Sequence, residues 1–169
     1  MLVIVGICSL QASAAIVNNA TVSVLPSSSP EYPGYPRTDA IDVGANRYIT
    51  DFASFGQGAA THLDFDFGTA LTFSQITYTD RTSSGSGNGS NWLGTYDFVT
   101  QYRYTFATDA GFTNIVGTVV SPVLLTPGAP SSYLDFQSTL SVPGLTARYV
   151  RWDVDTTNGA NPGAADFAF

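Results

Sequence analysis

The feature that most constrains the fold of this chain is a series of short runs in which polar and apolar residues alternate. The run His62-Leu63-Asp64-Phe65-Asp66-Phe67 has a period of two, so one side of an extended segment is apolar and the other is polar. Similar runs rich in Thr, Tyr, Phe and Val recur between stretches of Gly, Pro, Ser and Asn. They predict strands at about 15–24, 62–67, 71–79, 96–108, 115–120, 133–140, 147–154 and 164–169. Such a series predicts one all-β domain, an antiparallel sandwich or barrel.

The composition argues against long helices. Lysine is absent, Glu31 is the only glutamate, and charged residues make up 11% of the 169 residues. Lys and Glu favour helices, whereas Thr, Val, Tyr and Phe favour strands. A chain of this length forms one domain that buries enough surface to need no disulfide or metal staple.

The first fourteen residues, MLVIVGICSLQASA, form an apolar run that ends in small residues. Ala12-Ser13-Ala14 fits a signal-peptidase site, although no basic residue precedes the run. We therefore expect a signal peptide at 1–14, a mature domain at 15–169, and a secreted or cell-surface location. The alternative is a buried first strand. Cys8 is the only cysteine, so the cleaved domain would contain neither a disulfide nor a thiolate metal site.

Charge and residue types exclude several functions. A net charge of −7 disfavours nucleic acid and anionic membranes, and beyond residues 1–14 no stretch approaches the roughly 20 apolar residues of a membrane span. His62 is the only histidine and no Gly-x-Ser-x-Gly motif is present, which disfavours a catalytic triad or a zinc site. Asp64 and Asp66 could form a hydrolytic pair, but Asp-x-Asp before Gly is simpler to interpret as a solvated strand end. We predict a domain that is not an enzyme.

Several motifs, and their order along the chain, resemble those of discoidin-type domains (coagulation-factor type C domains). The relatives of these domains include family 32 carbohydrate-binding modules. The most specific is Ala147-Arg148-Tyr149-Val150-Arg151-Trp152, which resembles an Ala-Arg-Tyr-Val-Arg strand of the family. The others are Asp39-Ala40-Ile41-Asp42, Tyr48 to Ser54, Leu63 to Gly68, Ile76 to Arg81, Tyr102 to Asp109 and Asn161 to Phe167. The resemblance covers about residues 17–169 and implies a galactose-binding-like jelly-roll sandwich.

The resemblance also implies a structural Ca²⁺ site between the 39–50 loop and the last strand. Its side-chain ligands would be Asp42, Asn46, Thr50 and Asp166, because calcium prefers six to eight oxygen ligands. An aspartate-capped turn at Asp42 without a metal is the alternative, and the acidic charge would then serve only solubility.

A second expected site is a shallow sugar-binding surface made by loops at one end of the sandwich. Its candidate residues can stack on a sugar ring or hydrogen-bond to its hydroxyls: Arg47, Tyr48, His62, Arg81, Asn91 and Trp92. Arg81 occupies the position that resembles a ligand contact of the family. The alternatives are that Trp92 covers the end of the core and that His62 is an ordinary strand-face residue.

We therefore expect a carbohydrate-binding or adhesion module whose partner is a glycan or cell-surface polysaccharide. The alternative is a structural surface or matrix protein that self-associates through Tyr32 and Tyr35 in a Pro-rich arm at residues 26–38. Arg148 and Arg151 are expected to pair with aspartates such as Asp153 or to stack on tyrosines, and Trp152 to pack in the core.

Overall fold

The computed structural model describes residues 21–41, 52–81, 97–125 and 137–169. These residues form seven strands: β1 Ser23–Val24, β2 Phe52–Ala53, β3 His62–Asp80, β4 Val99–Ala107, β5 Ile115–Val120, β6 Gln137–Thr157 and β7 Gly163–Ala168. Within those ranges the helical segments are short 3₁₀ turns, among them Arg37–Ile41 and Gly58–Ala60. All strand pairs are antiparallel, in the order β2-β7-β3-β6-β4-β5, and β1 pairs with β3.

Strands β3 and β6 pair with each other along both of their halves. Leu63 of β3 is the partner of Trp152, and Tyr78 of β3 is the partner of Ser138. If β3 were straight, Leu63 and Tyr78 would lie about 50 Å apart. The rings of Tyr78 and Trp152 nevertheless lie 5.1 Å apart, centroid to centroid. The β3–β6 ladder therefore folds back on itself and its two halves face each other.

The register of β3 against β6 is irregular at two places: between Asp66 and Leu71, where Gly68 lies, and between Phe73 and Gln75, opposite Gly144 of β6. Gly68 and Gly144 have φ angles of +71° and +68°, which a residue without a Cβ adopts at little cost. The alternation of the sequence predicted separate strands on either side of each bend. The structure instead has one long strand in each case, and its pairing resumes after the irregular register.

Folding back produces two layers. The first contains β1, residues 62–66, residues 147–157, β4 and β5; the second contains β2, β7, residues 71–80 and residues 137–145. Large buried aromatic rings fill the space between them, including Tyr78, Tyr102, Tyr104, Trp152 and Phe167. The expected antiparallel sandwich is confirmed. Trp152, Val150 and Val154 are all buried, as their alternation predicted.

Arginine–aspartate pairs cover the outer face of the first layer. Arg151 donates two hydrogen bonds to Asp64, at 2.6 and 2.8 Å, and Arg148 donates two to Asp66, at 2.8 and 3.0 Å. Asp153 was expected as a partner, but Asp64 lies directly opposite Arg151 in the β3–β6 register. Both carboxylates of the Asp-x-Asp motif are thus held by guanidinium groups. The Arg148 guanidinium keeps the pKa of Asp66 below its ordinary value.

Candidate functional site

Three of the predicted site residues lie among the described residues: His62, Arg81 and Asp166. The remaining sugar-site candidates (Arg47, Tyr48, Asn91 and Trp92) and calcium-site candidates (Asp42, Asn46 and Thr50) lie outside them. Asp166 lies in β7, opposite Thr79 of β3.

His62 begins β3, and the Pro-rich arm holds its imidazole ring. Nε2 lies 2.8 Å from the carbonyl oxygen of Ser27, so this nitrogen donates a proton. Nδ1 lies 3.2 Å from the hydroxyl of Ser29, and in the neutral ring it accepts from that hydroxyl. The ring is therefore fixed in one orientation, with part of its surface exposed.

Arg81 follows β3 directly and has an exposed fraction of 8%. Nη1 donates a hydrogen bond to the carbonyl oxygen of Asn161 at 2.8 Å and lies 3.6 Å from Oδ2 of Asp97. The guanidinium also lies over the ring of Tyr35, 5.2 Å from its centroid. Arg81 was predicted as a sugar contact, and that role stays a prediction. In the structure this guanidinium binds groups of the protein.

Asp80, Arg81, Asp97 and Asn161 form a set of contacts that we call the clasp. Oδ2 of Asp80 accepts a hydrogen bond from the amide of Val99 at 2.7 Å. Oδ1 of Asp97 accepts one from the amide of Asn161 at 3.0 Å. The clasp thereby joins the residues before and after segment 82–96 to the turn between β6 and β7.

The fit around Asp97 is close. Asp97 has a φ of +63°, and a Cβ placed on Gly159 would lie 2.0 Å from its Oδ1. Only glycine fits at position 159 without displacing the clasp. Sequence reasoning did not identify Asp97 or Asn161 in this role, because Asn161 is 64 positions from Asp97 and 80 from Arg81 in the chain.

His62 and Arg81 lie at the same end of the sandwich although they flank opposite ends of β3. The side-chain oxygen of Asn161 accepts a hydrogen bond from the amide of Gly56 at 2.9 Å, and the amide of Gly58 donates to the carbonyl of Ala160 at 2.9 Å. Segment 54–61, which leads into His62, is therefore attached to the clasp. We call this part of the molecule, with the Pro-rich arm, the loop end.

Two aromatic side chains are exposed at the loop end: Tyr32, which its Pro-rich arm predicted to be exposed, and Phe55, which the sequence did not distinguish from core aromatics. The exposed fractions are 57% for Phe55 and 39% for Tyr32, and their ring centroids lie 5.6 Å apart. The other aromatic side chains among the described residues are buried or half-buried. Phe55 is followed by Gly56, Gln57 and Gly58, a loop composition that resembles the Gly-rich surroundings of Trp92.

Comparison with known proteins shows that the fold of this chain is similar to that of solved structures. No family model and no curated protein matches the chain. The family 32 carbohydrate-binding module of Clostridium perfringens NanJ, solved with galactose, has a TM-score of 0.63 at 16% identity, covering 90% of this chain and 96% of that one. This chain has the fold of the family 32 modules.

Two further structures agree. A second Clostridium perfringens family 32 module, in complex with GalNAc-β-1,3-galactose, gives a TM-score of 0.65 at 15% identity, with 91% of this chain and 98% of that one covered. The lectin-binding domain of Lectinolysin, complexed with Lewis b, gives 0.61 at 15% identity, with 89% and 93% covered. The discoidin-like resemblance in the sequence motifs is thus confirmed at the level of the fold.

Within the four described ranges, no helix is both long and apolar enough to cross a membrane. The same residues contain no group of three or more His, Cys, Asp or Glu side chains placed to hold a metal ion.

The clasp predicts an unequal response to two arginine substitutions. Arg81→Gln should lower the free energy of unfolding by about 3 kcal/mol, because it leaves Asp97 buried without its charge partner. Arg103→Gln breaks an exposed pair with Asp155 and should cost at most about 1 kcal/mol. Urea denaturation measures both. Equal losses in the two variants would show that the clasp contributes no more than a surface pair.

Asp80 predicts a pH effect. Burial raises the pKa of Asp80 well above its ordinary value, despite the Val99 amide, Tyr78 and Arg81 beside it. Because the folded-state pKa of Asp80 is raised, its contribution to stability is fully present at a pH below the unfolded-state pKa of about 4. This contribution is lost as the pH rises through the folded-state pKa. Asp80→Asn, which cannot ionise, should therefore gain melting temperature relative to the parent chain between pH 4 and pH 8. A relative loss over that interval would mean that Asp80 is ionised and paired with Arg81.

Proposed function

We propose that this domain is a non-catalytic module that binds carbohydrate at the loop end. The observation that carries the proposal is the exposure of the Tyr32 and Phe55 rings on a fold shared with sugar-binding modules. A large aromatic ring exposed to water adds apolar surface. Clusters of such exposed apolar surface mostly mark interaction sites. The negative face of such a ring attracts the polarised C–H groups of a sugar.

Polar groups for the sugar hydroxyls lie in the same two segments. Arg37 donates to Glu31 through its side chain at 2.6 Å and its amide at 3.0 Å, and these hydrogen bonds lower the pKa of Glu31. The carboxylate is therefore a charged acceptor at neutral pH. The side-chain amide of Gln57 donates to the backbone carbonyl of Phe55 at 3.0 Å, which holds this amide next to the Phe55 backbone.

The clasp supports this proposal because it fixes the surroundings of the rings. Asn161 holds Gly56 next to Phe55, and Arg81 lies over Tyr35, whose ring is 5.9 Å from that of Tyr32. A binding surface fixed in advance spends less of its interaction energy on ordering side chains. Arg81 would then act by positioning the site. Arg47, Tyr48, Asn91 and Trp92 remain predicted contributors from the neighbouring segments.

Galactose-containing glycans are the first ligand class to test, because two of the similar modules were solved with galactose and GalNAc-β-1,3-galactose. Export to the cell surface or beyond, and adhesion there, complete the proposal. The apolar run and Ala12-Ser13-Ala14 at residues 1–14 support export.

We also propose the structural calcium site at Asp42, Asn46, Thr50 and Asp166. Its support is the oxygen-only donor set and the path of the chain. The 3₁₀ turn Arg37–Ile41 packs against β7, the strand that carries Asp166, and leads directly into Asp42.

The alternative of assembly through the Pro-rich arm gains no support from the contacts of that arm. The amide of Tyr32 donates to the carbonyl of Ala53 at 2.8 Å, and Glu31 forms a β-bridge with Ser54. Arg81 covers the ring of Tyr35. The arm is therefore packed against its own domain.

Substitution of Phe55 tests the sugar site. Phe55→Ala should weaken binding to galactose-containing glycans at least about tenfold, because it removes the binding free energy of one aromatic contact. Phe55→Tyr should retain binding. Tyr149→Ala removes a half-buried aromatic of β6, paired with Ala107 at the far end of β4, and should leave the affinity unchanged. Glycan-array screening followed by calorimetry provides the measurement. Equal affinities for Phe55→Ala and the parent chain would refute a site at these rings.

The calcium site predicts a metal-dependent melting temperature. Ca²⁺ at about 100 times its dissociation constant adds about 2.7 kcal/mol, which raises the melting temperature by about 5 °C or more over that in EDTA. Asp166→Asn should abolish the difference, and Asp155→Asn should preserve it. Equal melting temperatures in Ca²⁺ and EDTA would contradict a calcium site.

A further inference from the structure

The two layers have four edge strands among the described residues, and only one of them is both long and unblocked. β1 and β2 contain two residues each. The edge half of β6, residues 137–145, contains Pro143, which lacks an amide proton to donate. β5 has six residues, pairs with β4 alone among the described strands, and contains neither proline nor charge. Its one protection is a bulge opposite Ala107 at its start.

The backbone of β5 presents hydrogen-bonding groups to the outside. The amide of Ser121, just after β5, donates to the carbonyl of Tyr102 in β4 at 2.8 Å. Because amide directions alternate along an extended strand, the amide and carbonyl groups of Val120 and Thr118 point away from β4. These are groups to which another strand can add.

The side chains around this edge are apolar and exposed. Val119 packs against the core, so Val116, Thr118 and Val120 point outward, and all three are exposed. Val123 and Leu125 extend the exposed apolar surface beyond β5. No charged residue occurs between Asp109 and Asp135. Two copies with a net charge of −7 each can therefore meet at this edge without bringing like charges together.

We propose that β5 is a dimer interface at which a second copy of this chain adds its own β5 in antiparallel register. A two-fold axis perpendicular to the sheet keeps the faces of the two sheets aligned, so residues pointing to the same face must pair. The register centred on Thr118 satisfies this condition. It pairs Thr118 with Thr118 of the second copy and Gly117 with Val119 on either side, clear of the bulge at Val116.

The pair at the axis has precedents within the domain. Hydroxyl hydrogen bonds join three cross-strand threonine pairs: Thr72 with Thr146 at 2.7 Å, Thr77 with Thr139 at 2.9 Å, and Thr100 with Thr156 at 2.6 Å. A Thr118 pair would repeat the same interaction across the axis. Since the outward groups are those of Thr118 and Val120, this register also joins Thr118 to its symmetry mate by two backbone hydrogen bonds. The interface is small and belongs to the weak class below about 1,200 Å².

Sedimentation velocity of the full chain over a range of concentrations tests the proposal. The parent chain should show a monomer–dimer equilibrium. Thr118→Lys places two like charges directly opposite each other and should raise the dissociation constant at least about tenfold. Thr69→Lys makes the same change at an exposed position in the bend of β3 and should leave the constant unchanged. Circular dichroism verifies that each variant is folded.

Cross-linking tests the register independently. In a Cys8→Ser background, Thr118→Cys should form a disulfide-linked dimer on mild oxidation. The expected Cα separation of about 5.5 Å at the axis lies within the disulfide range. Thr69→Cys should remain monomeric under the same conditions. A parent chain that stays monomeric at every concentration, or a dimer that survives Thr118→Lys and leaves Thr118→Cys uncrosslinked, would overturn the proposal.

Discussion

The packing of Tyr78 against Trp152 and Phe167 is the interaction on which the rest of the structure depends. Trp152 belongs to the first layer, and Tyr78 and Phe167 belong to the second. Their ring centroids lie between 5.1 and 5.5 Å apart. Burying three large rings supplies several kilocalories per mole, which offsets the cost of bending β3 and β6. This packing therefore favours the folding of the β3–β6 ladder into two layers.

The same fold-back creates the loop end. Because the two halves of β3 lie in different layers, His62 at its start and Arg81 after its end are brought to the same part of the molecule. Asn161 then connects them, with its carbonyl bound to Arg81 and its side chain bound to Gly56. Core packing thereby determines which segments surround the exposed rings.

Local sequence patterns predicted what depends on neighbouring residues. Strand β5 was predicted at 115–120 and occurs at Ile115–Val120, because its apolar run lies between clear turn residues. Alternation also predicted the burial of Trp152, which follows from a period of two. A pairing of Arg151 with an aspartate was expected, but the partner, Asp64, depends on the β3–β6 register. The contacts that remained unpredicted join distant parts of the chain. The clasp between Arg81, Asp97 and Asn161, and the exposure of Phe55, depend on how the layers pack, which periodicity does not contain.

Perturbation of backbone amide NMR resonances by galactose tests the central claim, a sugar site at the loop end, most directly. A titration of isotope-labelled protein should shift resonances at residues 31–35, 54–61 and 159–163, while β5 and the 109–114 turn stay unchanged. These segments contain the exposed rings and the residues that hold them. Shifts concentrated along β5 or the outer Arg–Asp face, or no shift with any galactose-containing glycan, would contradict a carbohydrate site at this end of the sandwich.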